Sequence, residues 1–317
     1  MSSMKLLLLA ASPFALPSLQ LLAQGDFRPA AVIARPDRPS GRGKQVSFPP
    51  VKKAALELGL QVWQPTGKKE LYRLVEQLQP DVLVNVAYGM KLPPEILEYP
   101  PLGCLNLHPS LLPAYRGAAP IRRAIMVGEK ETGVTVLFMA EELDAGDIIL
   151  QETARIALGE TYGSLQQRLA RQGAELLLSA LELLAQGKAP RHPQEEEKAT
   201  YAPPLTPEDE RINWARPAEA IDHQIRGLEP FPGAYTWLHG KRLKLRKVIP
   251  AEKTAGQTGA VRDLTPGTIC RVGRDSFSVL TGQDFLQVLE VQLAGKKRMH
   301  AGDFLRGYPL EVGEKLG

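Results

Sequence analysis

Asn106 and His108 are the residues of this chain whose type and spacing best suit chemistry. They lie in the stretch Gly103-Cys-Leu-Asn-Leu-His-Pro-Ser-Leu-Leu-Pro-Ala-Tyr-Arg-Gly-Ala-Ala-Pro120. On a strand, residues two apart share a face, so the polar pair points one way while Leu105 and Leu107 point the other. Pro109 ends the strand and sets the pair at its carboxyl end, where open α/β sheets keep their ligand crevices. A carboxamide can donate to a developing oxyanion, and an imidazole exchanges protons near neutral pH. Neither is a strong nucleophile, and no Ser or Cys in the stretch sits in a nucleophile-elbow pattern. Direct attack by a substrate amine therefore fits the pair better than covalent catalysis. An isolated Asn-x-His at a strand end is also what merely satisfies local backbone groups.

Such a pair needs a scaffold that brings strand ends together. Lys5 to Ala10, Ala30 to Ala34, Val62 to Gln64 and Asp81 to Tyr88 read as strands. Helical patterns lie between them at Leu16 to Gln24, Val51 to Gly59 and Lys69 to Leu78. This is the βαβ rhythm of a parallel sheet covered on both faces. Cys104 to His108 is a further strand, Pro120 to Gly128 a helix with proline at its first position, and Gly133 to Met139 another strand. A turn at Asp144-Ala-Gly-Asp147 follows. A long helix over Thr161 to Gln186, with Leu165, Leu169, Leu176, Leu177, Leu181 and Leu184 on its apolar face, closes the domain.

The spacing predicts an α/β chain: a Rossmann-like, mostly parallel sheet domain over residues 1–187, a linker over 188–207 and a smaller OB-like β-barrel domain over 208–317. The linker is marked by Pro190, Pro193, Pro203, Pro204 and the run Glu195-Glu-Glu197. Beyond it, one helical segment from Ala218 to Arg226 precedes short β-like runs with Gly-containing turns. With 317 residues, 44% hydrophobic and 23% charged, the composition excludes a disordered, collagen-like or coiled-coil chain. No apolar run approaches the roughly 20 residues that cross a bilayer, so a cytoplasmic protein without a membrane partner is expected. Cys104 and Cys270 match no metal-ligand spacing and read as buried small hydrophobes, with no metal expected.

Net charge is only +4, from 39 Lys and Arg against 35 Asp and Glu, so distribution matters more than the total. Arg35, Arg38, Arg42 and Lys44 share a Pro- and Gly-punctuated loop with one acid, Asp37. Such cations can neutralise phosphates, though a solvated loop looks the same. In Lys241-Arg-Leu-Lys-Leu-Arg-Lys247, Leu243 and Leu245 face one side and Arg242, Lys244 and Arg246 the other. Lys296-Lys-Arg298 adds a second cluster. Basic barrel faces commonly track nucleic-acid backbones, while isolated stripes are more often just solvated.

Asn106-Leu-His108 followed by Pro-Ser-Leu-Leu-Pro-Ala-Tyr-Arg-Gly117 resembles the signature of the folate-dependent formyltransferases. Within that family, Arg35-Pro-Asp-Arg-Pro-Ser-Gly-Arg-Gly-Lys44 and Gln292-Leu-Ala-Gly-Lys-Lys-Arg-Met299 resemble the branch acting on methionyl-tRNA. The resemblance implies transfer of a formyl group from 10-formyltetrahydrofolate to the amino group of methionyl initiator tRNA; that donor is already activated, so no metal is required, and a monomer is expected because nothing in the sequence reads as a dimer seam. It implies Asn106, His108 and Asp144 as the catalytic set; by spacing alone Asp144 reads first as a plain turn residue, and the resemblance is what lifts it. It implies a folate site from Ser110, Leu111, Leu112 and Pro113 with Tyr88, Gly89 and Met90, although a Leu-Leu pair also suits core packing. It implies tRNA contacts from Arg35, Arg38, Arg42 and Lys44, and from Arg242, Lys244, Arg246, Lys296 and Lys297, with Arg42 foremost. Ala11-Ser-Pro-Phe-Ala15 departs from the family's Gly-Thr-Pro-x-Phe-Ala by lacking the glycine and one residue. The alternatives are a related formyltransferase acting on a small amine and an RNA-binding module without activity.

Overall fold

The computed structural model describes residues 4–40, 45–251 and 264–317. Contacts divide them into two units. One takes the described residues of Met1–Pro120 with Glu131–Arg155 and Gln166–Pro203; the other takes Ile121–Lys130, Ile156–Leu165 and the described residues of Pro204–Gly317.

In the first unit, β1 (Leu6–Ala10) is buried at all five positions, the mark of a central strand covered on both faces. It pairs in parallel with β2 (Ala31–Ile33) on one side. On the same sheet follow β5 (Val62–Trp63), β6 (Val82–Val86), β7 (Cys104–His108), β8 (Glu131–Phe138) and β9 (Ile148–Arg155). The strand order is β5-β2-β1-β6-β7-β8-β9, parallel as far as β7 and antiparallel for β7–β8 and β8–β9. Chain direction across the sheet reverses between β1 and β6, the switch point where a Rossmann-like sheet opens a crevice at its carboxyl edge.

Helices α1 (Leu16–Gln24), α2 (Pro50–Glu57), α3 (Lys68–Leu78) and α4 (Pro94–Leu97) belong to the crossovers. Helix α3 buries Leu71, Leu74 and Val75, one apolar stripe at helical spacing. The expected strand at 81–88 stops at Val86 because Ala87 (φ 51°) and Gly89 (φ 73°) turn the chain out of the sheet. The basic loop is framed by a short ladder of β3 (Arg38–Ser40) and β4 (Gln45–Ser47), where sequence spacing indicated only a loop. Arg42 and Lys44 lie outside the described residues, and of Arg38 only the backbone is described. Cys104 is buried, and burial pushes its thiol up to about 12; Cys270 is half-buried rather than fully so.

The second unit is a curled antiparallel sheet, half of a barrel. Its strands are β10 (Tyr235–Leu238), β11 (Lys241–Ala251), β12 (Ile269–Val272), β13 (Phe277–Leu280), β14 (Phe285–Leu293) and β15 (Met299–His300). The order is β10-β11-β14-β13-β12, with β15 on β14. Leu243, Leu245, Val279, Leu286 and Val288 fill its core with Ile221 and Ile225 of the helix Ala218–Leu228. A short final helix over Ala301–Gly307, absent from the sequence reading, adds Phe304.

Candidate active site

Strand β7 delivers Asn106 and His108 to the carboxyl edge, 7% and 4% exposed. The third candidate comes from the β8–β9 connection. Asp144 holds a left-handed conformation at φ 54°, and Gly146 brings the connection hard against β8: a Cβ there would lie 1.9 Å from the Phe138 carbonyl oxygen. That close approach fixes where the carboxylate stands.

The three side chains form one network. Asn106 Nδ2 donates to Asp144 Oδ1 at 3.1 Å. Asp144 Oδ2 accepts from the Gly117 backbone N at 2.9 Å and faces His108 Nδ1 at 3.5 Å. His108 Nε2 meets the Tyr115 carbonyl at 3.0 Å. Both ring nitrogens thus look at acceptors; a neutral ring donates to one, the protonated ring to both. Asn106 Oδ1 accepts from Asn85 Nδ2 at 2.8 Å. Sequence reasoning missed Asn85, whose signal was a lone amide among the apolar residues of β6.

A second missed group lies in the expected linker. Residues 188–203 strap the segment after β7: Arg116 N donates to the Thr200 carbonyl, Ala202 N to the Arg116 carbonyl, and Tyr115 N to Thr200 Oγ1 at 2.8 Å. Gln194 Nε2 donates to the carbonyls of Asp144 and Gly146, both at 2.8 Å. Its Oε1 accepts from Arg116, which is 2% exposed and also paired with Glu196. Burial works against the Arg116 charge, but Glu196 and Tyr201 together outweigh it and hold the guanidinium pKa above its usual value. Nothing in the sequence marked Gln194.

The turn after β7 is held from behind. Thr135 Oγ1 donates to the Ser110 carbonyl at 2.7 Å, Gln151 Nε2 to the Leu112 carbonyl at 2.7 Å, and Ser110 Oγ to the Ala114 carbonyl at 2.6 Å. Leu112 is buried while Leu111 and Pro113 keep part of their apolar surface exposed. Beside this turn, Gly89 exposes its backbone and Met90 is half-exposed. Tyr88 instead sends its ring into the core, 1% exposed, and burial raises its phenol pKa. Two adjacent turns with exposed backbone and partly exposed apolar side chains fit a flat heterocycle with few polar anchors. Among the described residues, no group of three or more His, Cys, Asp or Glu could hold a metal. Nor is any helix among them long and apolar enough to cross a membrane.

The basic candidates divide by engagement. Arg35 donates to the Tyr88 and Gly89 carbonyls. Arg246 is bound to Glu229, at 2.8 Å, and to Gln292. Lys244 donates to the Pro232 carbonyl at 2.5 Å, and burial lowers its pKa. Arg242 is exposed and packs over Tyr235 and Trp237, 4.3 and 5.7 Å from the ring centres. Lys296 and Lys297 are exposed in the turn after β14.

Residues 6–181 match the family described as formyl transferase, and residues 204–309 match the formyl transferase C-terminal domain. A methionyl-tRNA formyltransferase of Moorella thermoacetica is 51% identical over 99% of both chains. One of Syntrophus aciditrophicus is 45% identical over the full length of both. The solved structure of HypX from Aquifex aeolicus in complex with tetrahydrofolic acid shares the fold with a TM-score of 0.64 at 20% identity, over 100% of this chain and 51% of that one. WlaRD, a sugar 3N-formyl transferase, does so with a TM-score of 0.66 at 17% identity, over 94% of this chain and all of that one.

Proposed function

The chain belongs to the formyl transferase family, in the line of the methionyl-tRNA formyltransferases, and from that premise we propose that Asn106, His108 and Asp144 carry its reaction. The enzyme transfers a formyl group from 10-formyltetrahydrofolate to methionyl-tRNA. The observation that supports these three residues is their shared network, in which one carboxylate holds both an amide donor and an imidazole.

The folate supplies an activated formyl carbonyl, so the protein's task is positioning and charge stabilisation. Ser110 to Pro113 and the Tyr88-Gly89-Met90 turn would hold the donor, largely through backbone groups. Asn106 has one amide hydrogen on Asp144 and one left for the oxygen that gains negative charge. Asp144 keeps the His108 ring oriented at Nδ1, and Nε2, which faces the Tyr115 carbonyl at 3.0 Å, would leave that contact to exchange a proton with the reacting nitrogens. Held by both the Gly117 amide and the turn at Gly146, the carboxylate needs no rearrangement during the step.

In this reading residues 1–187 do the chemistry and 208–317 grip the tRNA, joined through 188–207. The acceptor is the initiator tRNA, which the basic loop with Arg38, Arg42 and Lys44 opens at the acceptor stem, while Arg242, Lys296 and Lys297 track the backbone. The enzyme acts as a monomer in the cytoplasm. The test is formyl transfer by the purified protein to methionyl initiator tRNA, methionyl elongator tRNA and small amines in parallel. Rapid formylation confined to the initiator is expected; equal use of the elongator would remove the initiator selectivity given to the loop.

A further inference from the structure

We infer that Asn85 is a positioning residue for formyl transfer, acting through Asn106; the inference rests on the role given above to Asn106. Asn85 on β6 stands opposite Asn106 on β7, and its Nδ2 donates to Asn106 Oδ1 at 2.8 Å. The sense of that bond is dictated from the far end of the network. The Asp144 carboxylate only accepts, so the Asn106 atom facing Oδ1 at 3.1 Å is its NH2 group. Asn106 therefore turns its carbonyl oxygen to Asn85, and Asn85 answers with its own NH2. One carboxylate orients two carboxamides in series.

Two observations separate this arrangement from an amide that fills space. Val82, Leu83, Val84 and Val86 around Asn85 are buried and apolar, so the strand has no need of a polar side chain there. Asn85 Oδ1 is moreover buried without a hydrogen-bond partner among the described residues. Leaving a buried acceptor unpaired opposes folding, so a residue serving only the stability of β6 would do better as Val or Leu. What Asn85 supplies is a donor aimed at Asn106.

That donor has a use in the reaction. An Asn106 side chain rotated by half a turn would present its carbonyl oxygen where negative charge develops. Asp144 opposes that rotation from one side and Asn85 from the other. A hydrogen bond on the amide oxygen also makes the amide hydrogens better donors.

The test compares wild type with Asn85→Leu, Asn85→Asp, Asn106→Ala and the double variant Asn85→Leu/Asn106→Ala, by steady-state formyl transfer across a pH series. Asn85→Leu is expected to lower kcat about tenfold with KM for both substrates within about twofold. Asn85→Asp carries a donor only when protonated. Relative to wild type it should be slower than the Leu variant above about pH 7 and should recover as pH falls, because burial raises a carboxyl pKa. The double variant should be no slower than Asn106→Ala. A wild-type kcat in Asn85→Leu beside a crippled Asn106→Ala overturns the inference and leaves Asn106 its role; a wild-type rate in Asn106→Ala overturns both. Should Asn85→Leu fail to fold, Asn85→Asp decides: a pH profile parallel to wild type overturns the inference.

Discussion

Arg35 grips the turn that carries Tyr88: its Nε donates to the Tyr88 carbonyl at 3.0 Å, and its guanidinium carbon lies 4.9 Å from the centre of the Tyr88 ring. Gly89 offers its carbonyl to the same guanidinium. Arg35 sits in the stem of the basic loop, and the Tyr88 turn is the one assigned to the folate. One side chain thus joins the segment proposed to face the tRNA to the turn proposed to hold the donor. Arg35→Ala is expected to raise KM for the folate severalfold as well as KM for tRNA, and Arg35→Lys to restore neither, since an ammonium cannot bridge two carbonyls in the same fork. Steady-state kinetics with each substrate varied in turn checks this; a change confined to tRNA would make Arg35 a phosphate contact and no more.

Asp144 touches both partners through separate oxygens, so its replacement by an amide disrupts two relationships at once. Asp144→Asn sets an NH2 against either the Gly117 amide or the Asn106 amide, both donors. A loss in kcat of about 10²–10³ is expected, with a similar loss for His108→Ala, from the usual worth of an oxyanion donor or a general base. Equilibrium tRNA binding should stay within about threefold of wild type. Full activity in either variant removes that residue from the mechanism.

The sheet and its carboxyl-edge pair were legible because β1 reads as an unbroken apolar run, β6 as one broken only by Asn85, and Pro109 marks the end of β7. These short apolar runs and the intervening helical stripes are local properties of the chain. What was not legible depends on contacts between distant segments. Gln194 reaches Asp144 from fifty residues away, and no local pattern distinguishes it within a Pro- and Glu-rich stretch. Asn85 becomes informative only once β6 and β7 are known to be neighbours in register. Likewise Arg246 and Lys244 alternate as an exposed stripe would, yet Glu229 and the Pro232 carbonyl claim them.

Gln194 ties the strap to the turn that carries Asp144. Its amide bridges the Asp144 and Gly146 carbonyls, and the buried Arg116 holds it in place. Gln194→Ala is expected to lower kcat about tenfold, by letting the turn relax, with a fall in Tm of a few degrees. Glu196→Ala should lower kcat less, because its carboxylate does not touch the Asp144 turn, although removing it from the buried Arg116 lowers Tm as well. Parallel kcat and thermal-melt measurements on the two variants check the order; equal kcat losses would contradict it.

His223 makes the stability of the second unit depend on pH. Its ring packs where a Cβ at Gly128 would stand, 2.4 Å from a ring carbon. Burial, with Arg226 nearby, lowers its pKa from 6.5 against the weaker pull of Asp222 and Glu219. With the folded value depressed, the unfolded chain binds the proton first. The contribution to stability is whole above about pH 6.5 and is lost as pH falls through the folded value. Thermal melts from about pH 8 to pH 5 should show Tm declining on the acid side, and His223→Gln should flatten part of that decline. An unchanged slope in the variant would assign the acid loss to other groups.

The basic residues of the second unit separate into those that face solvent and those that hold the fold, and salt dependence distinguishes them. Lys296 and Lys297 are exposed, whereas Arg246 pairs with Glu229, a carboxylate only 5% exposed that also takes Arg298. A lysine that neutralises one tRNA phosphate releases about one counterion, so its loss should reduce the slope of log Kd against log salt by about one. Lys296→Ala is expected to do this while leaving Tm unchanged. Arg246→Ala instead takes one of two partners from a buried carboxylate, which destabilises the unit before it affects any phosphate. Its signature is a lowered Tm with a salt slope near that of wild type. A reduced slope in Arg246→Ala at unchanged Tm would return that side chain to the tRNA-facing set.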